Sequence, residues 1–223
     1  AVQFDERSSG FPRTPFGPTG WGASIPKPAT PLVGRTVELD ELGAWLSART
    51  GDIVTLTGPG GVGKTRLAIE VADRLSPTYA DGAAFVDLAT VTQAGFVPDA
   101  IARALGVSPR SGSGTGQLAA LLASRELLLV LDNLEQVIAA ASIVAELNAA
   151  CPDLTILVTS RIRLRVSSER AYFVPPLALA APKASIEESQ ISDALQLFAQ
   201  RARRVDPQFE LSDRNSATVA DIC

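Results

Sequence analysis

The chain has 223 residues, 46% hydrophobic and 20% charged, enough for one substantial domain and part of a second. A formal net charge of −4, from 20 basic and 24 acidic residues, argues against a broad nucleic-acid-binding surface. With no histidine and only Cys151 and Cys223, histidine catalysis, most zinc chemistry and a disulfide framework are excluded.

Residues 8–31 hold six prolines among glycines and serines, so residues 1–31 read as an extended lead-in or linker. Phe11, Phe16 and Trp21 are its candidates for packing on a neighbour. Order is expected from Leu32-Val33-Gly34-Arg35, followed by a helix with Leu39, Leu42, Trp45 and Leu46 on one face. Ile53 to Thr57 reads as a strand and Lys64 to Leu75 as a helix, with a glycine-rich turn between them. A second strand is expected over Ala84 to Leu88, then a helix near Phe96 to Leu105. Ser108 to Gly116 reads as an exposed connection, and Gln117 to Ala123 as helix. Leu127 to Leu131 and Leu154 to Val158 are unbroken apolar runs, as strands covered on both faces require. Val137 to Ala150 should be helical, and Tyr172-Phe173-Val174 a short last strand. Alternating strands and helices predict an α/β, three-layer fold with a parallel sheet of about five strands, and the glycine-rich turn ahead of Lys64-Thr65 makes it a P-loop nucleoside-triphosphatase fold.

The pattern changes after Pro175-Pro176. Ser192 to Arg204 is amphipathic, with Ala194, Leu195, Phe198 and Ala202 on one face, and Ser216 to Cys223 begins another helix. The expected organisation is a lead-in over 1–31, a nucleotide-binding domain over 32–177, and the start of an incomplete helical lid over 178–223. A chain starting at Ala1 reads as a trimmed fragment. No apolar run reaches the ~20 residues that span a bilayer and no secretory leader is visible at the start, so no membrane contact is expected; the cytoplasm, where nucleoside triphosphate is available, is the expected compartment.

The turn itself is Gly58-Pro59-Gly60-Gly61-Val62-Gly63-Lys64-Thr65, a complete GxxxxGKT. Glycines let backbone amides crowd a polyphosphate, Lys64 supplies a point charge for its outer phosphates, and Thr65 supplies a hydroxyl for magnesium. ATP or GTP is the ligand this predicts. Asp132 ends the third strand, where it can hold magnesium or serve as a turn residue. Asn133 follows and cannot take a proton. The nearest remaining carboxylate is Glu135, either polarising the attacking water or starting a helix. At the tip of the fourth strand, Arg161 is a candidate γ-phosphate sensor or a sheet-edge salt bridge. Arg66 is a helix-surface residue and a secondary phosphate candidate. Arg163 and Arg165 are expected to serve solvent, a partner or the lid.

Together, Leu32-Val33-Gly34-Arg35, Gly58 to Ala68, Leu127 to Asn133, Thr159-Ser160-Arg161, Val174 to Leu177 and the Leu197-Phe198 helix carry a resemblance. Pro31 to Cys223 resembles the bacterial signal-transduction ATPases with numerous domains (STAND), close to the NB-ARC and apoptotic-ATPase group. The nearest branch is the ATPase module of large LuxR-type, SARP-type and cyclase-linked transcriptional regulators. That resemblance implies that Val33, Gly34 and Arg35 lie beside adenine and ribose, which favours ATP or ADP over guanine nucleotides. It further implies magnesium at Asp132, a sensor role for Arg161, and a hinge to the lid at Pro175 or Leu177. A Gly-Leu-Pro-Leu segment, a winged helix and repeat domains normally follow in such proteins.

An ATP/ADP switch with slow hydrolysis, coupled to other domains and to effector-dependent self-association, is therefore expected. An ADP-holding scaffold is the alternative. A nucleic-acid motor is disfavoured by the acidic balance and by the absence of interleaved aromatic and basic residues.

Overall fold

The computed structural model describes residues 25–108, 114–179, 192–212 and 214–223. Five strands form one parallel sheet: β1 (Ile53–Thr57), β2 (Ala83–Asp87), β3 (Leu127–Asp132), β4 (Leu154–Thr159) and β5 (Glu169–Phe173). Their order is β2-β3-β4-β1-β5, with every neighbouring pair parallel. The expected α/β class and strand number hold.

Period-two alternation explains how one apolar run serves two cores. Along β3, Leu127, Leu129 and Leu131 join the cluster that also contains Val97, Ile101, Leu118, Leu122, Val144 and Leu147. These residues come from α3 (Val97–Ala104), α4 (Thr115–Leu122) and α5 (Ala141–Ala150). Leu128 and Val130 point to the other face, where α1 (Thr36–Ser47) and α2 (Lys64–Leu75) supply Leu39, Leu42, Leu46, Leu67 and Val71. Two helical layers thus sandwich the sheet. Ile25 joins the second cluster, and the Thr30 carbonyl accepts from Arg66 of α2, so the end of the lead-in is strapped to that helix.

Two expectations need correction. The last strand runs Glu169–Phe173, not Tyr172 to Val174. As an edge strand on β1 it is only half-buried, so no apolar run marks it. Glu169 also fixes its start by accepting the N–H groups of Leu164 and Arg165. The helix expected from Val137 is instead a 3-10 segment, Leu134–Ala140, broken at Val137 (φ −132°, ψ 47°) before α5 begins. Its buried residues are Leu134, Val137 and Ala140, three apart, which suits a three-residue turn.

After the sheet come α6 (Asp193–Val205) and α7 (Ser216–Ile222). They bury Leu195, Ala199 and Val219, while Phe198 and Phe209 meet at 5.9 Å between ring centroids. The aromatic residues of the lead-in and most of the Ser108 to Gly116 connection lie outside the described residues. Among those described, no helix is long and apolar enough to cross a membrane.

Candidate functional site

The parallel order brings the C-terminal tips of β1, β3 and β4 together, the end of an open α/β sheet where ligands sit. Gly58 to Gly63 bridge β1 and α2, with positive φ at Gly58 (147°), Gly61 (83°) and Gly63 (93°). Gly58 is required twice over, since a Cβ there would meet the Val174 carbonyl oxygen at 2.7 Å. A Cβ at Gly61 or Gly63 would meet nothing within 4 Å, so the loop's own backbone borders open space. α2 starts without a side-chain cap and without an acidic residue in its first turn. Its N-terminal N–H groups and positive dipole end therefore suit an anion.

Lys64 is buried, and its Nζ donates to the carbonyls of Gly58 and Pro59, both at 2.9 Å. Burial pushes its amine below the ordinary lysine range; nearby Glu135 opposes this and Arg161 reinforces it. Asp132 is just 3% exposed. Its Oδ1 accepts from Thr65 Oγ1 at 2.7 Å and from Thr159 Oγ1 at 2.5 Å, and its Oδ2 accepts from Asn133 Nδ2 at 3.0 Å. Burial pushes the Asp132 carboxyl above its ordinary range, against the two threonine hydroxyls. Low dielectric outweighs the hydrogen bonds here.

Among the described residues, no three His, Cys, Asp or Glu side chains cluster to hold a metal unaided. A hard cation shared with phosphate oxygens needs fewer protein ligands. The Thr65 hydroxyl and the Asp132 carboxylate, already 2.7 Å apart, provide oxygen donors of that kind. The donor set fits magnesium.

Glu135 and Arg161 meet directly, Oε1 to Nε at 3.2 Å. The guanidinium also stands against the loop: a Cβ on Gly60 would lie 3.7 Å from its Cζ. Arg35 is buried and left-handed (φ 69°). It pairs with Glu38 at 2.6 Å and donates to the carbonyls of Val62 at 3.2 Å and Pro175 at 2.6 Å. One side chain thereby ties the phosphate loop to the segment after β5. Val33 and Gly34 line a cleft of about 760 Å³ with Gln196, Ala199, Gln200 and Arg203 of α6. Leu177 is half-buried in the connection toward α6. Arg66 is engaged by the Thr30 carbonyl and by Glu70, so its hydrogen bonds go to the lead-in and its own helix.

Sequence reasoning gave no role to Thr159, although it stood within a quoted motif. Its hydroxyl both donates to Asp132 and accepts the Asn133 N–H at 3.0 Å. Asp193 was likewise unassigned. Its carboxylate sits where a Cβ on Gly34 would be, 2.5 Å away. A small polar residue at the tip of a buried strand was the available signal for Thr159; nothing local marked Asp193.

Residues 35–173 match the NB-ARC domain family. A Mycobacterium tuberculosis protein bearing an HTH-type transcriptional regulator name is 42% identical over 173 residues, 77% of this chain and 18% of that protein. The regulatory protein AfsR of Streptomyces griseus is 32% identical over 154 residues, 64% of this chain and 15% of AfsR. The chain thus spans less than a fifth of the length of these two relatives. Among solved structures, the Aeropyrum pernix ORC2 protein, determined as ADPNP and ADP complexes, is 13% identical. It superposes with a TM-score of 0.57 over 87% of this chain and 70% of its own, which establishes likeness of fold. The glycine-rich loop and the parallel sheet are therefore those of a P-loop nucleotide-binding module, and the chain belongs to the NB-ARC family.

Proposed function

We propose that this chain is an ATP/ADP-dependent switch that hydrolyses ATP slowly with magnesium and controls the multidomain regulator containing it. One observation carries the reading. Thr65 at the start of α2 meets Asp132, which Thr159 of a neighbouring strand tip also holds, and Asp132 is an electrostatic neighbour of the Lys64 amine.

Gly58, Pro59, Gly60, Gly61, Val62 and Gly63 would cradle phosphate through backbone N–H groups, with Lys64 neutralising its charge. Thr65 and Asp132 would hold magnesium, and Thr159 would keep the Asp132 carboxylate in place. Bound nucleotide would supply the cleavable phosphoanhydride and offset the buried charge of Lys64. Val33, Gly34 and Arg35 would border adenine and ribose in the cleft beneath α6, with Pro175 and Leu177 at the hinge. Arg35 would couple that hinge to the loop, and Glu135 would orient water.

In this reading residues 32–177 bind nucleotide and 178–223 begin a lid. The cytoplasm is its setting, and its partners are the remaining domains of the whole protein, with self-association on activation. Neither membrane nor nucleic acid is contacted by this part. The second reading, an ADP-holding scaffold, draws support from Asn133. It occupies the position after Asp132, and its amide already donates to Asp132 and to Asp87.

Phosphate release from the whole regulator, with Lys64→Ala as control, separates the two. The switch predicts slow release that effector accelerates and Lys64→Ala abolishes. Fast constitutive release contradicts it, and none under any condition favours the scaffold.

A further inference from the structure

We propose that the Glu135–Arg161 ion pair is a latch, closed when the outer phosphate position is unfilled and opened when Arg161 is drawn to it. The inference rests on the nucleotide reading above and goes beyond it. It makes one contact report on phosphate number and release the residue that activates water.

Arg161 follows β4, while Glu135 sits in the 3-10 segment after β3, so the pair spans neighbouring strand tips. Its two members are unequally held. The Glu135 side chain is 13% exposed and the Arg161 side chain 63%. Glu135 spends Oε1 on Arg161, while its Oε2 is buried without a hydrogen-bond partner. A buried carboxylate oxygen left unpaired is costly, and the site retains acceptor capacity for a water molecule. Arg161 also lies against Gly60 in the turn.

The guanidinium thus stands between two acceptor positions: the carboxylate it holds and the place beside Gly60 where an outer phosphate would lie. A phosphate carries more charge than a carboxylate and matches the planar fork. An exposed arginine pays little to change partners. Once Arg161 turns, Oε1 of Glu135 is free to accept from a water, with Lys64 as a cationic neighbour. A diphosphate leaves the latch closed.

The test measures equilibrium affinities of the chain for magnesium-ADP and for magnesium with a non-hydrolysable ATP analogue, by titration calorimetry. Two variants open the latch differently. Glu135→Gln removes the charge and keeps the shape; Glu135→Asp keeps the charge and shortens the reach. Each should tighten analogue binding roughly two- to fivefold, the range of an ion pair whose arginine is exposed, and leave ADP within a factor of about two. Neither should change the analogue-to-ADP ratio once Arg161→Ala is also present. A ratio unmoved by both variants, or a gain that persists without Arg161, overturns the latch, the latter by showing that Glu135 acts independently of Arg161. Failure of the unaltered chain to bind either nucleotide would instead overturn the nucleotide reading, so the two failures are distinguishable.

Discussion

Leu127 to Leu131 and Asp132 are consecutive in one strand and about equally shielded, yet burial does opposite things to them. The leucines and Val130 are at most 1% exposed, and each such side chain contributes ~1.5–3 kcal/mol by leaving water. Asp132 is 3% exposed, and burial pushes its carboxyl toward the neutral form, as it does the amine of Lys64. The body of the sheet is arranged for stability. The tips hold ionic groups that solvent would favour more; Glu135 and the two threonine hydroxyls offset part of that cost, and a ligand of matching charge would offset more.

Substitutions should therefore sort by position along the strands. The largest loss of stability is expected from Leu129→Ala, fully buried in the body of β3: about 2–5 kcal/mol in urea unfolding. A cost below ~1 kcal/mol would show that the two regions differ less than argued. Next comes Arg35→Ala, which removes the buried donor to Val62 and Pro175, at about 2–3 kcal/mol. Arg35→Lys should recover only part of this, because one ammonium cannot reach both carbonyls and Glu38.

Gly34→Ala should cost about 1–2 kcal/mol in thermal melting, since φ is 65° and the new Cβ would strike the Asp193 carboxylate. Adding Asp193→Ala should return the steric part and leave the backbone part. The smallest effect, and the one of opposite sign, belongs to the strand tip. Asp132→Asn should leave stability unchanged or raise it by up to ~1 kcal/mol at neutral pH. The folded carboxyl titrates above its ordinary value of 3.8, so the folded state keeps its proton longer than the unfolded chain. This group's contribution is thus favourable below that value and lost as pH rises through the folded value. The melting-temperature gap between the variant and the unaltered chain should widen in favour of the variant over that window. A gap that narrows would refute the electrostatic account of Asp132.

Local chemistry made parts of this molecule legible. The glycine run and Lys64-Thr65 set the end of β1 and the start of α2, both found where the residues predicted them. Apolar runs announced β3 and β4 because both faces of those strands are covered. β5 was misplaced because an edge strand carries Glu169 and Arg170 without penalty. The candidate site could be read from the sequence as a set of residues, and its contacts could not. Arg35 reaches Pro175 across 140 positions, and Arg161 meets Glu135 only because β4 lies beside β3. Strand order decides such meetings, and no spacing in the chain encodes it.

The central claim is that the turn after β1 binds a nucleotide whose phosphates Lys64 neutralises. Calorimetric titration with magnesium-ADP, on the unaltered chain and on Lys64→Ala, tests it most directly. The account predicts saturable one-to-one binding that Lys64→Ala weakens by about tenfold or more, with its melting temperature unchanged or higher. Equal affinity in the two proteins, or no binding by the unaltered chain, would contradict it.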